Sequence, residues 1–204
     1  MTNYEMMLNE ELYIYADDEI QKYVAEKNEF LDNFNSTKFG DFKTREELIR
    51  KIFKHVGKNA TMNKPFMCDY GRHISVGDNF FSNLDLIILD VCDVEIGDNV
   101  LFGPRVSIYT AAHPIDSEVR VSGLEYGKKV KIGNNCWIGG SVTINPGVTI
   151  GDNVVIGSGS VVTKDIPSNV IAVGNPCKVL RPITDKDKAY WESKKEEYYK
   201  KINK

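Results

Sequence analysis

Histidine and cysteine are scarce in this chain, and each scarcity excludes a class of chemistry. There are three histidines, His55, His73 and His113, with no HxxxxH spacing among them. The four cysteines, Cys68, Cys92, Cys136 and Cys177, form no CxxC pair, which argues against a thiolate zinc site. No apolar run approaches the ~18 residues that a membrane span requires. The opening "MTNYEMMLNEEL" is acidic and lacks the apolar stretch of a signal peptide. Nor is there an excess of either charge: 26 Lys and Arg stand against 29 Asp and Glu, a formal net of −3. That balance gives no reason to expect nucleic acid or an anionic membrane as a partner. The resulting expectation is a cytoplasmic protein with reduced thiols.

What is present divides into three regions. Residues 1–60 carry helical signals. In "DDEIQKYVAEKNEFLDNFN", Ile20, Tyr23, Val24, Phe30, Leu31 and Phe34 fall near helical spacing, and Asp17 and Asp18 stand at the start as cap and dipole partners. In "KTREELIRKIFKHVG", Thr44 and Glu47 have capping-box spacing. Leu48, Ile49, Ile52, Phe53 and Val56 form one face, which carries His55 along on the helix, and Gly57 ends it.

Residues 61–182 follow another rule. Ile132, Ile138, Ile144, Ile150 and Ile156 recur every six residues, each followed by glycine or asparagine. Four places after each come Cys136, Val142, Val148, Val154 and Ser160, all small or β-branched. An earlier set runs through Ile96, Phe102 and Ile108. Six fits neither the helix period nor a long strand, but it fits a short strand plus a turn. Glycine, asparagine and aspartate after the isoleucine suit left-handed or tight turns. One hexad cannot bury its apolar pair alone; three close a coil of about 18 residues, and stacked coils share a core. A β-sandwich would not keep the repeat in phase. The expected fold is therefore mainly β, a parallel β-helix of hexapeptide repeats, with an α-helical N-terminal region. The charged tail, residues 183–204, reads as a short solvated helix.

The repeat breaks at "YTAAHP". An excursion over residues 111–129 follows, and Pro114 biases His113 towards extended backbone. Loops on a rigid scaffold often carry sites. By position alone His113 is either a loop residue or a general base, and Glu125 either a solvated acid or a partner that orients the imidazole.

The stretch "VKIGNNCWIGGSVTINPGVTIGDNVVIGSGSVVTKDIPSNVIAVGNPCKVLR" resembles the hexapeptide-repeat acyltransferases, whose β-helix is left-handed. With "CDYG", "SNLD" and "TAAHP" added, nearly the whole chain is similar to the maltose and galactoside O-acetyltransferase subfamily. The resemblance implies acetyl transfer from acetyl-CoA to a sugar hydroxyl without a metal, by homotrimers whose active sites lie between neighbouring β-helices. It implies His113 as the base, Asn83 for the acceptor and developing oxyanion, and Asp69 for the acceptor, the last leaning to the maltose-type branch. It implies the backbone N–H of Gly140 as an oxyanion donor, and Ser158, Thr163, Lys164, Lys178 and Arg181 as CoA contacts. Trp137 either stacks on CoA or packs at a subunit contact. The acid expected just after Tyr13 is replaced by Ile14, with Asp17 as a possible substitute.

Three rivals bear on this reading. A metalloenzyme of the γ-carbonic anhydrase type needs an HxxxxH pair, and none exists. A non-catalytic β-helix subunit would keep the hexads without needing His113, Asn83 or the basic C-terminal coil. A transferase of the same fold could use a non-sugar acceptor such as an antibiotic or amino-acid hydroxyl.

Overall fold

The computed structural model describes residues 1–202. A helical cap comes first: α1 (Asn3–Leu8), a short strand β1 (Tyr13–Ile14), α2 (Asp18–Ser36) and α3 (Phe42–Ile52). Asp17 caps α2 as expected, its Oδ1 accepting from Glu19 N–H and Ile20 N–H. The cap of α3 differs from expectation. Asp41, not Thr44, is the N-cap, and its Oδ1 accepts from the Thr44 N–H at 3.2 Å. The helix also stops at Ile52, so His55 is not helical. His55 and Val56 pair in parallel with Ser75 and Val76, and that pairing outweighs the helical spacing of the apolar residues.

The β-helix therefore starts at His55 rather than at residue 61. Its first coil is β2 (His55–Val56), β3 (Thr61–Met62) and β4 (Phe66–Cys68). The second is β5 (Ile74–Val76), β6 (Phe81–Ser82) and β7 (Leu86–Leu89), and the third β8 (Val94–Ile96), β9 (Leu101–Phe102) and β10 (Ser107–Tyr109). The excursion follows as β11 (Ala111–Ala112), α4 (Ser117–Val121) and β12 (Leu124–Gly127). Coil four is β13 (Val130–Ile132), β14 (Trp137–Ile138) and β15 (Thr143–Ile144), and coil five β16 (Thr149–Ile150), β17 (Val155–Ile156) and β18 (Val161–Val162). A partial last coil ends in β19 (Val170–Val173), before β20 (Lys178–Pro182) and α5 (Asp185–Ile202).

Like strands stack into three parallel ladders: β2-β5-β8-β13-β16 (face one), β3-β6-β9-β14-β17-β19 (face two) and β4-β7-β10-β15-β18 (face three). β20 pairs antiparallel with β19, so the parallel run ends before residue 182. Strand alternation sends Val94 and Ile96 inward and Glu95 outward, and the hexad isoleucines form the core.

The turn between faces one and two explains the glycines differently from the sequence reading. In this turn Gly57, Gly77, Gly97, Gly133 and Gly151 follow the last inward residue of their strands because the next coil lies against them. A Cβ on Gly97 would stand 2.6 Å from Asn134 Oδ1 and 2.9 Å from the Gly133 carbonyl carbon. The left-handed position is the asparagine two residues later: Asn59, Asn79, Asn99, Asn135, Asn153 and Asn169 have φ between 53 and 62°. These asparagines stack along the axis. Asn59 Nδ2 donates to Asn79 Oδ1, Asn79 to Asn99 and Asn99 to Asn135, at 2.9–3.0 Å. Beside them, Asp78, Asp98, Asn134 and Asp152 each accept a backbone N–H from the preceding coil through Oδ1.

The cap closes the open end of this stack. Phe30, Phe34 and Phe53 pack edge-on against Phe66 of the first coil. The Asn35 amide both donates to Phe66 C=O and accepts from its N–H, at 2.9 Å each, which completes an otherwise bare strand edge. Arg45 is fully buried and forms no ion pair among the described residues, donating instead to the Met62 and Lys38 carbonyls and Thr37 Oγ1. At the other end α5 buries no residue, as expected of a solvated helix; residues 203–204 of that tail lie outside the description.

Candidate active site

The chain leaves the β-helix at the corner after face three, and Thr110 fixes the departure. It is fully buried; its Oγ1 donates to Leu89 C=O and accepts from Cys92 N–H, and its carbonyl accepts from Lys128 N–H as the chain returns. β11 and β12 form an antiparallel hairpin, and β1 joins its far side. The register pairs Ala111 with Gly127, Ala112 with Tyr126 and Tyr13 with Glu125. Continued by one residue, it sets His113 across from Glu125. Gly127 lets the ribbon cross close to the corner below: a Cβ there would stand 2.6 Å from both Val91 Cγ2 and Cys92 Sγ. Beyond His113, Arg120 donates to the Pro114 and Ile115 carbonyls and holds the loop. His113 is exposed on this rigid base.

Beneath the ribbon lies a second, small core of Met7, Tyr13, Ile20, Tyr70, Val91 and Cys92. Its polar groups converge. The Tyr13 hydroxyl donates to Glu125 Oε2 at 3.0 Å. Asp69, at the same corner two coils below the excursion, has its carboxyl pushed up to about 6, chiefly by burial. Lys27 of α2 opposes that rise, and the charge of Glu125 adds to it. The Tyr70 hydroxyl is buried without a hydrogen-bond partner among the described residues. Asp90 organises the turn: it accepts from the N–H groups of Asp69 and Tyr70 through Oδ1 and of His73 through Oδ2. Complete burial pushes its carboxyl up to about 7 against those hydrogen bonds.

His73 is scaffold. Burial pushes it down to about 4, so it is neutral at physiological pH. Its Nδ1 donates to the Asp90 carbonyl and its Nε2 accepts from the Tyr4 hydroxyl at 2.9 Å. His55 points out of face one into solvent.

The expected site residues fall into separate groups. His113, Glu125 and Asp69 share the corner after face three. Thr163 and Lys164 stand exposed along that same corner, farther up the stack. Asn83, Gly140 and Ser158 line the corner after face two, where Gly140 C=O accepts from Gly159 N–H. Asn83 Oδ1 there accepts from Leu84 N–H at 2.8 Å. Lys178 lies on β20 opposite Val173, near the end of that corner. Arg181 is engaged by Asp187 through two hydrogen bonds of 2.7 and 2.8 Å. Asp17 spends its carboxylate on capping α2 and on Asn3 Nδ2. One chain therefore does not bring His113 to Asn83 and Gly140; a face of the prism separates them.

Sequence reasoning missed Tyr13, Tyr70, Lys27 and Asp90. The alternation in "LYIYA" is a strand signal for Tyr13, but its partner is 112 residues away. Among the described residues, no three His, Cys, Asp or Glu side chains gather as a metal site, and no helix is long and apolar enough to cross a membrane.

Known proteins share this architecture. Residues 6–57 match the maltose acetyltransferase hexapeptide capping motif, and residues 129–164 match the bacterial transferase hexapeptide of six repeats. A galactoside O-acetyltransferase of Lactococcus lactis is 41% identical over 197 residues, covering 96% of this chain and 95% of that protein. The crystal structure of a maltose O-acetyltransferase from Clostridium difficile 630 has 53% identity and a TM-score of 0.89, covering 90% of this chain and 98% of that one. A galactoside acetyltransferase in complex with coenzyme A has 43% identity and a TM-score of 0.88, covering 92% and 94%. This chain belongs to the hexapeptide-repeat acetyltransferase family, in the branch of the maltose and galactoside O-acetyltransferases.

Proposed function

We propose that the protein transfers an acetyl group from acetyl-CoA to a hydroxyl of a sugar, with His113 as general base and no metal. The observation that carries this reading is the placement of His113: exposed, at the end of an anchored ribbon, across from Glu125 and above the half-buried Asp69. An alcohol is a poor nucleophile, and a neutral imidazole can take its proton at neutral pH. The oxygen then attacks the thioester carbonyl, the tetrahedral oxyanion collapses, and His113 returns the proton to the departing thiolate. Asp69, when ionised, offers acceptor oxygens to sugar hydroxyls. Glu125 orients the imidazole.

The remaining groups come from a neighbouring copy. The outer side of face two carries an apolar row in register, Phe81, Leu101, Trp137, Val155 and Ile171, with Leu101 47% and Trp137 56% exposed. Covering that row with a second copy removes it from water, and a cyclic trimer does so three times. It also carries Asn83, Gly140 and Ser158 of one subunit towards the His113 corner of the next. Gly140 N–H then faces the oxyanion. Ser158, Thr163, Lys164 and Lys178 serve CoA, and Arg181 joins them once released from Asp187. Asp17 stays a helix cap. The four buried free thiols suit a cytoplasmic location.

The test is an acceptor screen with acetyl-CoA that follows free thiol release over maltose, glucose, galactosides, antibiotics and serine. Sugars giving the highest kcat/KM support the reading; turnover confined to the antibiotics or serine replaces the acceptor class, and none at all refutes the activity.

A further inference from the structure

We propose that Tyr13 is a positioning residue for acetyl transfer, acting through Glu125 on the imidazole of His113. This rests on the reading of His113 as the base. It adds that the N-terminal cap, which supplies β1, sets the tautomer of the catalytic histidine.

Three observations converge. First, Tyr13 is 1% exposed and belongs to the small buried cluster of Met7, Ile20, Tyr70, Val91 and Cys92. Its hydroxyl stays protonated, because burial and the nearby charge of Glu125 both raise its pKa. It is therefore a fixed donor. Second, that donor takes one oxygen of Glu125, Oε2, at 3.0 Å. Among the described residues Oε1 takes part in no hydrogen bond. Third, the three-stranded order β1-β12-β11 places Glu125 between Tyr13 on one side and the extension of β11 that carries His113 on the other. Residues directly opposite in an antiparallel pair share a face, with Cβ atoms about 4.5–5.5 Å apart. The free oxygen of Glu125 thus lies on the strand face that the continued register gives to His113.

Which imidazole nitrogen carries the proton is set by the hydrogen bond the other makes. A carboxylate accepting from Nδ1–H leaves Nε2 bare, ready to receive the acceptor's proton. Without the tyrosine hydroxyl the Glu125 side chain loses its fixed rotamer. The charge of Asp69 repels it, and no other hydrogen bond among the described residues fixes its carboxylate. A merely structural tyrosine would affect folding and nothing about the histidine.

The test uses full-length protein labelled with 15N-histidine, in wild type, Tyr13→Phe and Glu125→Gln. In wild type the ring nitrogens of His113 report the Nδ1–H tautomer; in Tyr13→Phe they move to the mixture typical of a free imidazole. With the acceptor found in the screen, Tyr13→Phe lowers kcat about tenfold and leaves KM for acetyl-CoA unchanged. In the Glu125→Gln background the same change costs less than about twofold, since the two act in series. The proposal is overturned if the wild-type tautomer persists in Tyr13→Phe, or if the kcat losses of the two variants simply multiply. The tautomer is read without any acceptor. A shifted tautomer in a protein that transfers no acetyl group would refute the enzymatic reading and leave the Tyr13–Glu125–His113 contact standing.

Discussion

Asp69→Asn should stabilise the fold more at neutral pH than in mild acid. The carboxyl titrates at about 6 in the folded chain against a usual 3.8, with burial as the main cause. A raised carboxyl pKa means the folded state binds the proton more tightly. Its contribution is present below the unfolded pKa and lost as pH rises through the folded one. Worked through linkage, the ionised form costs about 1 kcal/mol near pH 4.5 and about 3 kcal/mol above pH 7. No side-chain hydrogen bond holds Asp69 among the described residues, so asparagine removes the charge without orphaning a partner. Each kcal/mol is worth about 2–4 °C for a chain of this size. The variant should gain about 6–12 °C in unfolding midpoint near pH 7.5 over wild type, and about 2–4 °C near pH 4.5. Circular dichroism melts of both proteins across that range are the assay. An equal midpoint difference at both ends, or a loss at neutral pH, would refute the buried-charge reasoning. A higher KM for the acceptor in the same variant would show that the strain at Asp69 is kept for binding.

Two further perturbations test the frame around the site. Gly133→Ala places a Cβ 2.5 Å from Asp152 Oδ1 and 2.8 Å from the Gly151 carbonyl carbon. Overpacking of that kind costs about 1–3 kcal/mol, read as a lower urea midpoint with an unchanged m-value; an unaltered midpoint would show that the coils separate freely. Trp137→Glu, and separately Leu101→Glu, put a charge on the apolar row of face two. Sedimentation should show the proposed trimer giving way to the 23.1 kDa chain, with acetyl transfer lost alongside it. Full activity in a monomer would end the shared-site account.

The fold was legible because its signal is local and repeated. Ile132 to Ile156 announce the coils, and the break at "YTAAHP" announces the excursion. The errors arose where a distant partner decides the outcome. His55 and Val56 extend the apolar spacing of α3 perfectly well, yet Ser75 and Val76 are there to pair with them. Gly57 resembled a helix stop. It is instead the first glycine of the stacked turn, where a Cβ would lie 2.3 Å from the Gly77 carbonyl carbon. The asparagine ladder was hidden for a similar reason, since a hydrogen bond between coils leaves no trace within one hexad. At the site, His113 was marked by the broken period. The partnership of Tyr13 and Glu125 needed the fold to bring two distant segments together. Arg181 has a basic residue's usual claim on phosphate, but only the structure shows Asp187 already holding it.

The measurement that bears most directly on the central claim is turnover by His113→Ala, with CoA affinity measured on the same protein by calorimetry. Loss of the base predicts that kcat falls about 10²–10⁴-fold, with CoA affinity nearly unchanged. Near-wild-type turnover would contradict the assignment of His113, and with it the reading of the excursion as the wall of an active site.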